Sequence, residues 1–195
     1  MEEDNRRELN EWADRLAAAA LPRWEELPDI ELYMDQVVAL LDKHFAKFPG
    51  EEAGKLISPS IINNYVKMGA VPPTIKKRYS RTHLAYLMII CILKPVLPIA
   101  AIQGIIEAQL RSRALDEVYN HFCEEQESAA RLIREQIQGG EPTAGMLVAT
   151  GERLSDLSLR MAVLANAGKI FAEKIVALEQ PPQEAEAKEK GRKRK

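Results

Sequence analysis

Ser58-Pro59-Ser60-Ile61-Ile62-Asn63-Asn64-Tyr65-Val66-Lys67-Met68-Gly69 is the stretch on which the reading of this chain turns. Ser58 suits a helix N-cap, and Pro59 suits the first helical position, where its missing N–H is not needed. Gly69 ends the helix in a conformation that other residues resist. The spacing predicts a helix over 59–68 with two faces. Ile62, Tyr65 and Val66 form an apolar back, and Ser60, Asn63, Asn64 and Lys67 form a polar front. That front suits the DNA major groove: Asn pairs bidentately with adenine edges, Ser reaches several bases, and Lys reaches phosphate or guanine. It carries no acid to repel phosphate.

The connection that follows, Val71-Pro72-Pro73-Thr74-Ile75-Lys76-Lys77-Arg78-Tyr79-Ser80, is Pro-stiffened and basic and has the size of a small wing. Ser80 then caps a helix from Arg81 to Leu93. Helix, Gly69-Ala70-Val71-Pro72-Pro73, Arg78-Tyr79-Ser80 and a Leu-rich helix together resemble the winged helix-turn-helix of MerR-family bacterial regulators. In that family a Tyr-rich recognition helix ends in Gly-Leu-Ile-Pro, and the wing closes on an Arg-x-Tyr-Ser type sequence. The chain also resembles, more closely, a bacterial family catalogued as domain of unknown function 1836, through Leu21-Pro22-Arg23-Trp24-Glu25-Glu26-Leu27-Pro28 and Ile62-Asn63-Asn64-Tyr65-Val66-Lys67. Both resemblances fall within about residues 20–110. Asn63 stands where MerR proteins carry Arg, Ala70 where they carry Leu, and the wing is shorter and lacks its Gly-Tyr. The resemblance therefore carries over to groove docking and not to promoter distortion. It implies a phosphate contact for Tyr65, whereas the periodicity alone places Tyr65 in the core.

Charge supports a polyanion partner. Residues 53–106 carry seven bases and no acid, while residues 1–52 carry fourteen acids and six bases. A basic, acid-free segment inside a chain of net charge −2 is an electrostatic footprint for nucleic acid. Two cysteines, Cys91 and Cys123, make no disulfide framework, and the acidic N-terminus has no apolar signal region, so a cytoplasmic protein is expected. Within Leu84–Ile106, Lys94, Pro95 and Pro98 interrupt the apolar run, which reads as two core helices rather than a membrane span.

Taken in order, the composition predicts an all-α chain with a possible wing. Residues 1–28 hold an amphipathic helix at 5–20, with Leu9, Trp12 and Leu16 on one side, and a Pro-bracketed connector in which Trp24 plugs the core. Residues 29–110 form a MerR-like helix-turn-helix domain, with a helix from an Asp29 cap to about Phe48, a long turn over 49–55, and core helices at 80–93 and 98–110. Residues 111–180 form a C-terminal helical hairpin, with helices over 113–138 and beyond the break Gly139-Gly140-Glu141-Pro142. The last helix carries Leu154, Leu157, Met161, Leu164, Phe171 and Ile175 on a 3–4 spacing, and its other face, with Val163 and Ile170, is also apolar. A helix apolar on two sides predicts a homodimer, the alternative being a bundle folded back within one chain. Residues 181–195 read as a disordered basic tail.

Other chemistry finds little footing. His121 and Cys123 lie about 200° apart around a helix, and with Cys91 they match no zinc spacing. Gly-rich phosphate loops, nucleophile elbows and HExxH pairs are missing from the sequence, so no catalytic residue, metal or cofactor is assigned. The expected function is a DNA-binding transcriptional regulator acting on double-stranded DNA, with Ser60, Asn63 and Asn64 on base edges and Tyr65, Lys67, Lys77 and Arg78 on phosphates. Ser58, Lys76, Tyr79 and Arg81 complete the expected DNA face. The competing expectation is a helical protein-interaction module without sequence-specific DNA binding, and the third a small-molecule or redox sensor.

Overall fold

A computed structural model describes residues 2–49, 57–138 and 154–179, and among them the regular structure is helical. The helices are α1 (Glu2–Ala18), α2 (Met34–Phe45), α3 (Pro59–Lys67), α4 (Arg81–Leu93), α5 (Ile99–Leu110), α6 (Leu115–Ile137) and α7 (Leu154–Glu179), with a 3₁₀ turn at Trp24–Glu26. Among the described residues no helix is long and apolar enough to cross a membrane.

The axis of the molecule is α4. Leu84, Ala85, Leu87, Met88, Ile89, Ile90 and Leu93 are each no more than 1% exposed, so the helix is covered on every side. The cover comes from both halves of the sequence. One continuous core runs from Trp12 of α1 through Leu41, Ile62 and Ile106 to Val163 and Ala167 of α7. The boundary drawn at residue 110 therefore does not divide two cores.

The connector 21–28 ties the halves together. Tyr119 Oη, on α6, donates to the Pro22 carbonyl at 2.9 Å and lies 2.9 Å from Met88 Sδ on α4. The Trp24 N–H donates to Asn120 Oδ1 at 2.9 Å, and the Arg23 guanidinium lies 2.9 Å from Glu127. The Trp24 ring packs edge-on against Tyr119, with centroids 6.3 Å apart.

The C-terminal helices differ from the expected hairpin. His121 faces Asp156 at 3.7 Å and Glu125 faces Arg160 at 3.0 Å, and each pair is 35 residues apart. A constant offset means that α6 and α7 run in the same direction, whereas in a hairpin it would change from pair to pair. α1 lies antiparallel to α7: Asn5 Nδ2 donates to the Leu178 carbonyl at 3.4 Å, Lys174 pairs with Glu8 at 2.6 Å, and Phe171 stacks on Trp12 with centroids 6.2 Å apart. Gly139–Pro142 signalled a break, but a break does not dictate the direction of the next helix.

One boundary also moves. Residues 29–33 are not helical, and α2 starts at Met34 with Tyr33 as its N-cap. The reason is tertiary: Leu32 and Tyr79 exchange both backbone hydrogen bonds, each 2.8 Å, which holds this segment extended. The expected start of the last helix beyond the break at 139–142, most of the turn at 49–55 and the basic tail at 181–195 lie outside the described residues.

Candidate nucleic-acid interface

The helix α3 is set by its ends. Ser58 Oγ accepts the Ile61 N–H at 3.3 Å, and Pro59 follows at the first helical position. At the other end Gly69 adopts φ +70°, the Ala70 N–H donates to the Tyr65 carbonyl at 2.9 Å and the Gly69 N–H to the Val66 carbonyl at 3.1 Å. These two bonds make a Schellman cap. Ile62 (1% exposed) and Tyr65 (8% exposed) anchor the helix to the core, with Ile61 and Val66 half-buried beside them. Ser60, Asn63, Asn64 and Lys67 are all exposed on the front, joined by Met68 at 50% exposure. The Ser60 hydroxyl lies 3.0 Å from that of Ser58, and Asn64 Nδ2 makes only a weak 3.4 Å contact to Met68 Sδ, so the amide remains free for other partners.

Six residues after Gly69 the chain makes a two-residue hairpin turn. Ile75 and Arg78 pair across it, with the Arg78 N–H donating to the Ile75 carbonyl at 3.0 Å. Lys76 and Lys77 at its tip have φ of 51° and 59°. Paired positive φ values belong to the type I′ turn, whose twist matches flanking extended segments and which favours Asn and Gly. Here both places are lysine, exposed and pointing two ammonium groups outward. His83 braces the hairpin against α4: its Nδ1 accepts the Ser80 N–H at 3.0 Å, which assigns the ring hydrogen to Nε2, 3.4 Å from the Pro73 carbonyl.

The expected DNA face is thus only partly surface. Tyr65 is core rather than a phosphate contact, and burial raises its phenol pKa, with Cys91 adding to the effect. Tyr79 is 3% exposed, packs edge-on against His83 at 5.5 Å, and is likewise core. Arg81 is half-buried, with its guanidinium 5.8 Å from the Trp24 ring centre. Arg78 is exposed but engaged: Glu31 lies 3.7 Å away, the Tyr33 hydroxyl 3.3 Å, and the Tyr33 ring centre 5.2 Å. Sequence reasoning missed Glu31 and Tyr33 because it placed 29–33 in a helix; their alternation about Leu32 was the available signal.

Of the expected dimerisation stripe, Phe171 is spent on Trp12 and Leu164 packs on the core, while Ile175 is half-buried and Met161 is 37% exposed. The side chains of Leu154 and Leu157 lie outside the described ones. The buried side of α7 is Leu159, Ala162, Val163 and Ala167, all facing the rest of the same chain. Cys91 and Cys123 are both buried, and burial pushes each thiol up to about 12.

A family model described as "Domain of unknown function (DUF1836)" matches residues 22–122. The matched segment closes on itself, since Pro22 at its start accepts the Tyr119 hydroxyl near its end. No curated protein and no solved structure matches the chain.

Proposed function

The chain belongs to the domain of unknown function 1836 family, and from that premise we propose that it is a DNA-binding transcriptional regulator. In this reading α2, α3 and the 75–78 hairpin act as a MerR-like winged helix-turn-helix. α3 lies in the major groove, with Ser60, Asn63 and Asn64 on base edges and Lys67 on phosphate, and Lys76 and Lys77 meet phosphates beside it. The observation that carries the reading is the front of α3: four exposed polar residues, none acidic, on a helix fixed at both ends by caps. Arg78 is a weaker candidate than its sequence suggests, because Glu31 already occupies it.

The test is selection of sequenced genomic fragments by the protein at two salt concentrations. Recovery of a short common site with steep salt dependence supports the reading, and recovery without any common sequence counts against it. Asn64→Ala is expected to lose discrimination between sites while retaining affinity for bulk DNA. Replacing Lys76 and Lys77 by Ala is expected to weaken all DNA alike and to flatten the salt slope by up to about 2.

A protein-interaction role is the second reading, and one observation favours it. Ile30, Tyr33 and Ile75 are 65%, 53% and 72% exposed, and they cluster in the segments joined by the Leu32–Tyr79 bridge.

A further inference from the structure

The Leu32–Tyr79 bridge has an inner and an outer face. Leu32 and Tyr79 point inward, at 7% and 3% exposure. Side chains alternate along extended chain, so Glu31, Tyr33 and Arg78 point outward, and Ile75 joins them as the residue opposite Arg78. The contacts of Arg78 with Glu31 and Tyr33 agree with that placement. Of the five large hydrophobic residues that are exposed among the described side chains, this outer face carries two, Tyr33 and Ile75.

Its charges are divided. Segment 29–35 contributes the exposed acids Asp29, Glu31 and Asp35 and no base. The hairpin contributes the exposed bases Lys76, Lys77 and Arg78 and no acid. An apolar strip with acids on one side and equal numbers of bases on the other is complementary to itself under a two-fold rotation. We propose that this outer face docks a second copy of the chain, isologously, with Glu31 of each protomer against Arg78 of the other. On the α7 stripe, the other place expected to hold a second copy, Phe171 and Leu164 are committed within their own chain. Exchanging the exposed Glu31–Arg78 pair inside one chain for the same pair between chains costs little.

Such a contact covers the lysine tip. Self-association and DNA binding therefore compete for Lys76 and Lys77, and this consequence alone rests on the DNA-binding reading. The mass measurement below contains no DNA, so the interface and that reading fail separately.

Sedimentation equilibrium of the full chain from about 5 to 500 µM, the range suited to a small interface, is expected to show mass rising from one chain towards two. Glu31→Arg and Arg78→Glu, each alone, place like charges at both symmetric contacts and are expected to weaken association about tenfold or more. An equimolar mixture of the two variants restores both contacts, one with the parent's sign and one reversed, and is expected to recover the two-chain mass. A role for the pair within one chain predicts no recovery on mixing. Ile75→Asp, at an exposed position, is expected to abolish association while leaving the helical circular dichroism unchanged. A parent of one-chain mass throughout, a dimer that survives Ile75→Asp, or a mixture that stays monomeric overturns the proposal.

Discussion

Lys76 and Lys77 occupy the left-handed region at a place where Asn and Gly are ordinarily found. Each lysine there carries a backbone cost of about 1–2 kcal/mol. Lys76→Asn with Lys77→Gly is therefore expected to raise the thermal midpoint, by up to about 2 kcal/mol in stability at the midpoint. The same variant should lose salt-dependent affinity for DNA. A gain in one with a loss in the other, read by calorimetry and titration, would mark strain retained for the sake of two charges. Gly69 is a milder case. A Cβ there meets nothing within 4 Å, so Gly69→Ala should cost only the backbone term at φ +70°, about 1 kcal/mol by chemical denaturation. Both caps of α3 were legible in the sequence, because Ser-Pro and Gly act through their own backbones. The burial of Tyr65 was legible too, from its spacing with Ile62 and Val66, but the fates of Tyr79 and Arg81 were not, because each depends on a partner far along the chain.

At the scale of elements, the directions of helices proved harder to read than their existence. The stripes of α4, α5 and α6 announced core helices, and the hinge at Lys94–Pro98 lies where the prolines put it. The bridge between Leu32 and Tyr79 joins residues 47 apart and overrides the helical pattern after Asp29. No local signal announced that α7 runs parallel to α6. That packing is held at one end by Asp156, buried between Arg113 and His121, with Arg113 Nη2 at 3.0 Å from its Oδ2. Burial alone would raise this carboxyl. Hydrogen bonds from Arg113 and Gln109, with the charges of Arg113 and His121, outweigh it and hold the pKa below the usual carboxylate range. A depressed folded-state pKa contributes stability that is present above about pH 4 and is lost as pH falls through the lower folded value. The parent should therefore lose more stability in that acid window than Asp156→Asn does, as denaturation at a series of pH values would show. At neutral pH Asp156→Asn is expected to cost about 3 kcal/mol, by leaving Arg113 half-buried without its counter-charge.

For the whole molecule, a single core centred on α4 makes the two halves of the sequence one cooperative unit. Leu87→Ala, at 0% exposure, should cost about 2–5 kcal/mol and lower one shared transition rather than one of two. Tyr119→Phe is the finer probe: it removes the donor to Pro22 and should cost about 1 kcal/mol in the same transition. The family segment 22–122 closes through that bond, and α1 and α7 lie outside it, joined to each other where Trp12 stacks on Phe171. That stack has a consequence for synthesis. Phe171, which stacks on Trp12, is made 159 residues after it. At roughly 5–20 residues per second, Trp12 waits about ten to thirty seconds for Phe171. During that interval the Trp12 ring is without the ring that stacks on it, and the order of translation becomes part of how this protein reaches its native state.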